Sequence, residues 1–244
     1  MLVAGIDLAA EPKGTALALI EFKANKAELV FLEQGLDDQA LIDKTIKANK
    51  VGIDCAFGWP IEFAKFIAQN QDPKNKNPID GGMDFRRTLS FRETDRVIKE
   101  LTGRWPLSVS TDRLGLTAMR CAGLLSRYQQ AGTEVDRSGA GKLAEVYPGA
   151  TLRTWSFDTT NYRVNKEVRA KLIKELNRQA PWLELGANQA LMIESGDAFD
   201  AVIAALAARA IHQGNYHKPT TDQQARALVE GWICLPTEEL TNLA

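Results

Sequence analysis

The tripeptide Gly-Ile-Asp occurs twice, as Gly5-Ile6-Asp7 and Gly52-Ile53-Asp54, each time closing a short apolar run. Strands disfavour aspartate, and a carboxylate buried in one without a partner is expensive. Two such placements restrict the chain to folds in which two strand ends open onto a polar crevice. One account is local: each Asp lies just past its strand and caps a turn. The other is a cation shared between the two carboxylates.

The surrounding pattern supplies a sheet for those strand ends. Leu2–Leu8, Thr15–Phe22 and Glu28–Glu33 read as strands joined by short connections rich in Gly, Pro or Asn, which predicts a three-stranded meander. Helical spacing follows over Asp37–Asn49, with Asp37 or Asp38 as N-cap, and Lys50–Cys55 is a further strand stopped by Gly58-Trp59-Pro60. A helix between the meander and that strand predicts a mixed sheet, with the fourth strand parallel to the first. Asp7 and Asp54 then share the crevice at the carboxyl ends of the strands, where ligands bind in such sheets.

Beyond residue 60 helices dominate. They are expected over Ile61–Asn70, Phe85–Leu101, Arg113–Ala131, Lys166–Gln179 and Asp197–His212, with polar loops over Gln71–Met83 and Thr133–Gly141. Leu143–Tyr147 reads as another core strand closed by Pro148-Gly149, and Trp232–Leu235 as a short strand or a packed tail. The length of 244 residues suits one large domain, 1–244, with a helical insertion over about 60–140 and a second over about 150–190.

The last helix adds acids. In Ile193-Glu194-Ser195-Gly196-Asp197-Ala198-Phe199-Asp200, Asp197 and Asp200 stand at i and i+3 on one face among small residues that allow close approach to a sheet. Asp197 also reads as an ordinary first-turn acid at the positive end of the helix dipole. Asp200 lies a turn deeper, where that reading fits less well. Four carboxylates, Asp7, Asp54, Asp197 and Asp200, form an oxygen donor set suited to Mg²⁺ or Mn²⁺. His212 and His217, late in the chain, supply a zinc site poorly, and no GxSxG, Walker or GxGxxG motif is present.

Composition narrows the rest. Cys55, Cys121 and Cys234 are odd in number and far apart, against a disulfide framework and for a reducing, cytoplasmic setting. No run approaches the ~20 apolar residues of a membrane span. Residues 86–137 carry ten Arg/Lys against six Asp/Glu, and residues 160–180 carry six against two. Those stretches are either solvated helix surfaces or a cationic wall beside the acidic centre.

The order Gly-Ile-Asp, Gly-Ile-Asp, Gly196-Asp197-Ala198-Phe199-Asp200-Ala201 resembles the ribonuclease-H-like superfamily, and the last helix resembles that of RuvC-type resolvases. More narrowly, the chain resembles domain-of-unknown-function family 429, described as predicted nucleases of this fold. Ala4–Leu8, Val51–Pro60, Phe91-Arg92-Glu93-Thr94-Asp95, Ala144–Ala150 and the last helix carry the likeness. It implies a five-stranded α/β sheet, a meander plus two parallel strands, flanked by helices. It also implies metal ligation by Asp7, Asp54 and Asp197 or Asp200, with Glu145 at a neighbouring strand end binding metal or orienting water. Arg92 and Asp95, at i and i+3, are either a structural ion pair or a phosphate-holding Arg fixed by its Asp.

The resulting expectation is a Mg²⁺- or Mn²⁺-dependent nuclease acting on RNA or DNA, with no membrane association and no feature that assigns an oligomeric state. Catalysis would fall to Asp7, Asp54, Glu145, Asp197 and Asp200, and substrate binding to Arg92 and Asp95. Two rivals keep the fold. Gly5-Ile6-Asp7-Leu8 followed by Gly14-Thr15-Ala16-Leu17-Ala18 is reminiscent of the phosphate loop of sugar kinases and actin-like ATPases. A non-catalytic nucleic-acid-binding module is the other.

Overall fold

The computed structural model describes residues 1–71, 74 and 80–244. Its centre is a six-stranded mixed sheet in the order β5-β4-β1-β2-β3-β6. The strands are β1 (Leu2–Asp7), β2 (Ala16–Lys23), β3 (Lys26–Gln34), β4 (Lys50–Asp54), β5 (Leu143–Glu145) and β6 (Leu183–Glu184). The helices are α1 (Asp38–Thr45), α2 (Ile61–Gln71), α3 (Gly82–Ser90), α4 (Glu93–Thr102), α5 (Gly115–Gln130), α6 (Pro148–Thr154), α7 (Lys166–Gln179), α8 (Gln189–Glu194), α9 (Gly196–His212) and α10 (Gln224–Glu230). Among the described residues no helix is long and apolar enough to cross a membrane.

The expected meander is present: β1 pairs antiparallel with β2, and β2 with β3. β4 runs parallel to β1, and β5 parallel to β4. The strand count differs from the expected five. β6, only two residues long, adds parallel to the outer edge of β3, and an element that short carries no readable period. Trp232–Leu235 forms no strand but an extended tail touching the sheet through one bridge, Ile233 to Glu145.

Period-2 alternation divides the sheet into two faces. Ala4, Ile6, Val51 and Ile53 pack against Leu41 and Ile42 of α1 and Leu124, Leu125 and Tyr128 of α5. Val3, Ala16, Ala18 and Ile20 turn to the other face, beneath Phe199, Val202, Ile203 and Leu206 of α9. Gly5 and Gly52 are direct neighbours across β1 and β4. A methyl group at Gly5 would lie 2.1 Å from the Ala201 carbonyl oxygen and 2.1 Å from the Ala205 nitrogen, and one at Gly52 would lie 2.6 Å from the Ala204 oxygen. The glycine of each Gly-Ile-Asp thus admits the backbone of α9 directly onto the sheet.

Several elements depart from the sequence pattern for identifiable reasons. α1 stops before Asn49, because the Asn49 amide donates to the Leu2 carbonyl and its side chain accepts from the Leu2 amide at 2.9 Å, which starts β4. Asp37 is the N-cap, accepting from the Ala40 amide at 2.8 Å. The single helix expected over Phe85–Leu101 is two, α3 and α4. The Asp95 carboxylate accepts the Arg92 amide at 2.9 Å and so nucleates a new helix behind Arg92. Pro148 does not merely close β5; it opens α6 at the first helical position, where a missing N–H costs nothing. The loop expected over Gln71–Met83 lies partly outside the described residues, and its last two residues open α3.

Candidate active site

Asp7 and Asp54 are cross-strand neighbours in the parallel β1–β4 pair, two residues beyond Gly5 and Gly52 and therefore on the same face, toward α9. Asp7 is only 6% exposed. Ser195 caps α9 by accepting from the Ala198 amide at 3.1 Å, which fixes where the helix begins. The glycine contacts fix how closely it lies. Together they set Asp200, 1% exposed, above the two strand-end carboxylates. Asp197, a turn earlier and less buried, looks toward β3 and accepts from Gln34 Nε2 at 3.0 Å.

Two residues absent from the sequence expectations enter this cluster. Arg163, in the segment between α6 and α7, holds Nη2 2.9 Å from Asp200 Oδ2 and 3.7 Å from Asp7 Oδ2. Tyr162 beside it donates its hydroxyl to Asp200 Oδ1 at 2.9 Å. The short Arg163 contact is not aligned as a hydrogen bond, so the buried Asp200 Oδ2 accepts none. Arg169 of α7 anchors the segment. Its buried guanidinium donates to the carbonyls of Tyr162, Arg163, Ile193 and Glu194 at 2.8–3.0 Å, tying the Tyr162–Arg163 loop to the chain entering α9.

The electrostatics follow from burial. Burial, then the charges of Asp54 and Asp200, pushes Asp7 well above the usual carboxylate range, with Arg163 opposing. Burial raises Asp54 to about 7; Asp200 and Glu145 add to the rise, while Arg163 and a hydrogen bond with Asp7 oppose it. Asp200 rises to about 6 for the same leading reason, against Arg163 and the Tyr162 hydrogen bond. Asp7 and Asp54, buried side by side at the ends of β1 and β4, titrate as a pair. Burial disfavours the Arg163 charge, but Asp200, Asp54 and Asp7 more than offset it and hold the guanidinium charged. Among the described residues, no three His, Cys, Asp or Glu side chains stand in an arrangement that could hold a metal ion. The positive charge in the cluster is the guanidinium.

Glu145 borders the crevice at the end of β5, but its oxygens are engaged. Oε1 accepts from Arg92 Nη2 at 2.8 Å, and Oε2 accepts from Arg92 Nη1 at 2.9 Å and from the Phe57 amide at 2.9 Å. Arg92, 3% exposed, also donates to both Asp95 oxygens and to the Glu230 carbonyl. Of the two readings of Arg92 and Asp95, this geometry supports the structural ion pair. The two basic stretches likewise divide. Arg120 donates to the Ala9 and Leu36 carbonyls and to Asp38, and Arg169 is the buried clamp. Arg104 and Arg163 reach the crevice, joined by Arg153 from outside both stretches.

The crevice has two compartments that share Asp54, Tyr147 and Arg163. One, of about 170 Å³, runs over Asp7 and is walled by Pro106, Leu107 and Leu114. The other, of about 130 Å³, is lined by Arg104, Arg153, Thr159 and Asp200. No curated protein and no solved structure matches the chain. A family model described as a protein of unknown function, DUF429, matches residues 5–225, and the chain belongs to that family.

Proposed function

We propose that this protein is a divalent-cation-dependent nuclease that hydrolyses phosphodiester bonds in the crevice above β1 and β4. The observation that carries the reading is the in-register pair Asp7–Asp54 facing Asp200, with an Asp200 oxygen that is buried and accepts no hydrogen bond. The antiparallel meander followed by two parallel strands, with acids ending β1 and β4, supports a ribonuclease-H-like sheet to which β6 is an added edge strand. Free Cys55, Cys121 and Cys234 support a reducing, cytoplasmic setting.

Carboxylate oxygens are the donor type that Mg²⁺ or Mn²⁺ takes, and a dication would relieve their mutual repulsion, but with Arg163 among them the described acids are not arranged to hold an ion. Asp7, Asp54 and Asp200 would hold an ion only once the Arg163 guanidinium moved aside and the three closed up, with Asp197 at the margin. When bound, such an ion supplies a nucleophilic water at neutral pH and stabilises the leaving oxygen. The remaining roles belong to the chain. Tyr162 orients the Asp200 carboxylate through Oδ1 and leaves Oδ2 facing the Arg163 guanidinium. Arg163 balances the acids and presents donors to a phosphate oxygen. Pro106, Leu107 and Leu114 exclude water from one side. Glu145 and Arg92 brace the β4–β5 end of the sheet.

The phosphotransferase alternative fares worse. The turn from β1 to β2 is closed on itself: the Gly14 and Thr15 amides donate to the Glu11 and Pro12 carbonyls, and the Ala9 amide donates to Thr15 Oγ1. Arg120 fills the turn from within, donating to the Ala9 carbonyl at 2.8 Å and to Thr15 Oγ1 at 2.6 Å. Those amides are not free to cradle a phosphate.

The test is cleavage of labelled RNA and DNA by the purified chain with Mn²⁺, beside Asp7→Asn. Metal-dependent cleavage lost in the variant supports the nuclease. No cleavage of any substrate by the wild type removes it, and nucleic-acid binding that ignores Mn²⁺ would favour a non-catalytic module.

A further inference from the structure

The second compartment shares Asp54 and Asp200 with the acid cluster but adds a set of cations. Three arginines from three separate segments converge there, with Thr159 and Tyr147. Arg104 follows Gly103, whose φ of 72° turns the chain out of α4; the Trp105 ring stacks on Phe91 at 4.1 Å and fixes that turn. Arg153 projects from the last turn of α6 and lies 5.5 Å from the Tyr147 ring, which orients it by a cation–π contact. Arg163 comes from the loop held by Arg169.

Their pairing is unequal. The acids neutralise Arg163. Arg153 Nε and Nη2 are buried and donate to nothing. Among the described residues, neither Arg104 nor Arg153 forms an ion pair with a carboxylate. Guanidinium donors removed from water and left unpaired, as in Arg153, are costly. Arg104 is exposed. Of the two carboxylates that line the same cavity, Asp200 is ion-paired with Arg163, so Arg104 and Arg153 repel each other unless an anion lies between them. The cavity of about 130 Å³ is well below the ~300–1,000 Å³ of drug-sized sites. It suits a compact tetrahedral oxyanion better than a base or a sugar ring.

We propose that Arg104 and Arg153, with Thr159, form a subsite for one phosphate group of a nucleic-acid backbone, seated beside Asp54 and bound without metal. Naming the nucleic acid as the source of that phosphate rests on the nuclease reading; the anion site itself rests on the unpaired guanidinium groups. Planar forked donors match a phosphate in two-point contact. The subsite then fixes the register of the strand relative to Asp7 and Asp54, while the apolar compartment beyond Arg163 receives the adjoining part of the substrate.

The experiment uses the full chain without metal. Inorganic phosphate and a short single-stranded oligonucleotide are each titrated by calorimetry into the wild type, Arg153→Gln, Arg104→Gln and, as a surface control, Arg178→Gln. Thermal melting verifies that each variant is folded. The wild type is expected to bind both probes, with phosphate displacing the oligonucleotide. Each pocket variant should weaken both by at least about tenfold, and the control should match the wild type. A wild type that binds neither probe, or folded pocket variants that bind both normally, overturns the subsite. So does phosphate binding lost in Arg153→Gln while oligonucleotide binding is unchanged, since the site is then not one for the backbone. Metal-free binding of both probes with no Mn²⁺-dependent cleavage ends the nuclease reading and leaves the subsite. Cleavage with an unaltered KM in Arg153→Gln ends the subsite and leaves the nuclease.

Discussion

Asp7 sits directly across from Asp54 in the parallel β1–β4 pair, both on the face that α9 covers. Burial raises both; the charge of Asp54 adds to the rise of Asp7, while Asp200 and Glu145, not Asp7, add to that of Asp54. The site therefore holds protons in the folded state that the unfolded chain releases.

The sign of the pH dependence follows. Asp54 moves from the ordinary 3.8 to about 7 and Asp200 from 3.8 to about 6, so between those values the native state binds more protons than the unfolded state. Stability from these groups is present below the unfolded value and is lost as pH rises through the folded ones. Without divalent ions, the melting temperature should fall between about pH 4 and pH 7, and Asp54→Asn should flatten the decline. Melting curves across that range check it. A wild type that grows steadily more stable up to pH 7, with Asp54→Asn following the same course, would contradict the assignment.

Arg163 is the internal counter-charge to Asp200 and Asp7. Its side chain is 54% exposed, so solvent screens the pair and Arg163→Ala should cost less than about 1 kcal/mol of stability. Removing a cation from the acid cluster should strengthen Mn²⁺ binding by about tenfold. Calorimetric titration with Mn²⁺ measures this, and weaker binding by the variant would count against Asp200 and Asp7 as ligands.

Gly5 and Gly52 admit the α9 backbone. Gly5→Ala puts a methyl group 2.1 Å from backbone atoms that cannot move independently, so urea denaturation should show a loss of about 3 kcal/mol or more. A change below about 1 kcal/mol would mean that α9 can lift off the sheet.

Arg92 joins Asp95 and Glu145 with all three side chains buried. Arg92→Leu leaves two buried carboxylates without their partner and should cost about 3–5 kcal/mol in equilibrium unfolding. Replacing Arg92, Asp95 and Glu145 together by apolar residues should recover part of that loss, which a structural role predicts.

The acids were legible because a carboxylate ending an apolar strand, or placed a turn inside an alanine-rich helix, conflicts with its local surroundings. The meander and the parallel fourth strand were legible through alternation and connection length. Glu145 shows what the pattern conceals: its partner Arg92 lies 53 residues away, and only the fold brings them to 2.8 Å. Arg163 was missed because Thr159-Thr160-Asn161-Tyr162-Arg163 has no period and resembles an ordinary polar connection. The same holds for Arg153, on a helix of seven residues behind a proline read as a strand stop. The glycines of the repeated tripeptide were visible, and their purpose was readable only by setting them against the alanines of the last helix.

The seam where α9 rests on Gly5 and Gly52 has a mechanical consequence. Helix and sheet touch there through main chain alone, with no side chain to compress or rotate, so the joint has no suspension. At these two points neither strand can carry a side chain without lifting the helix, so the seating of Asp200 over Asp7 and Asp54 depends on two residues that perform no chemistry.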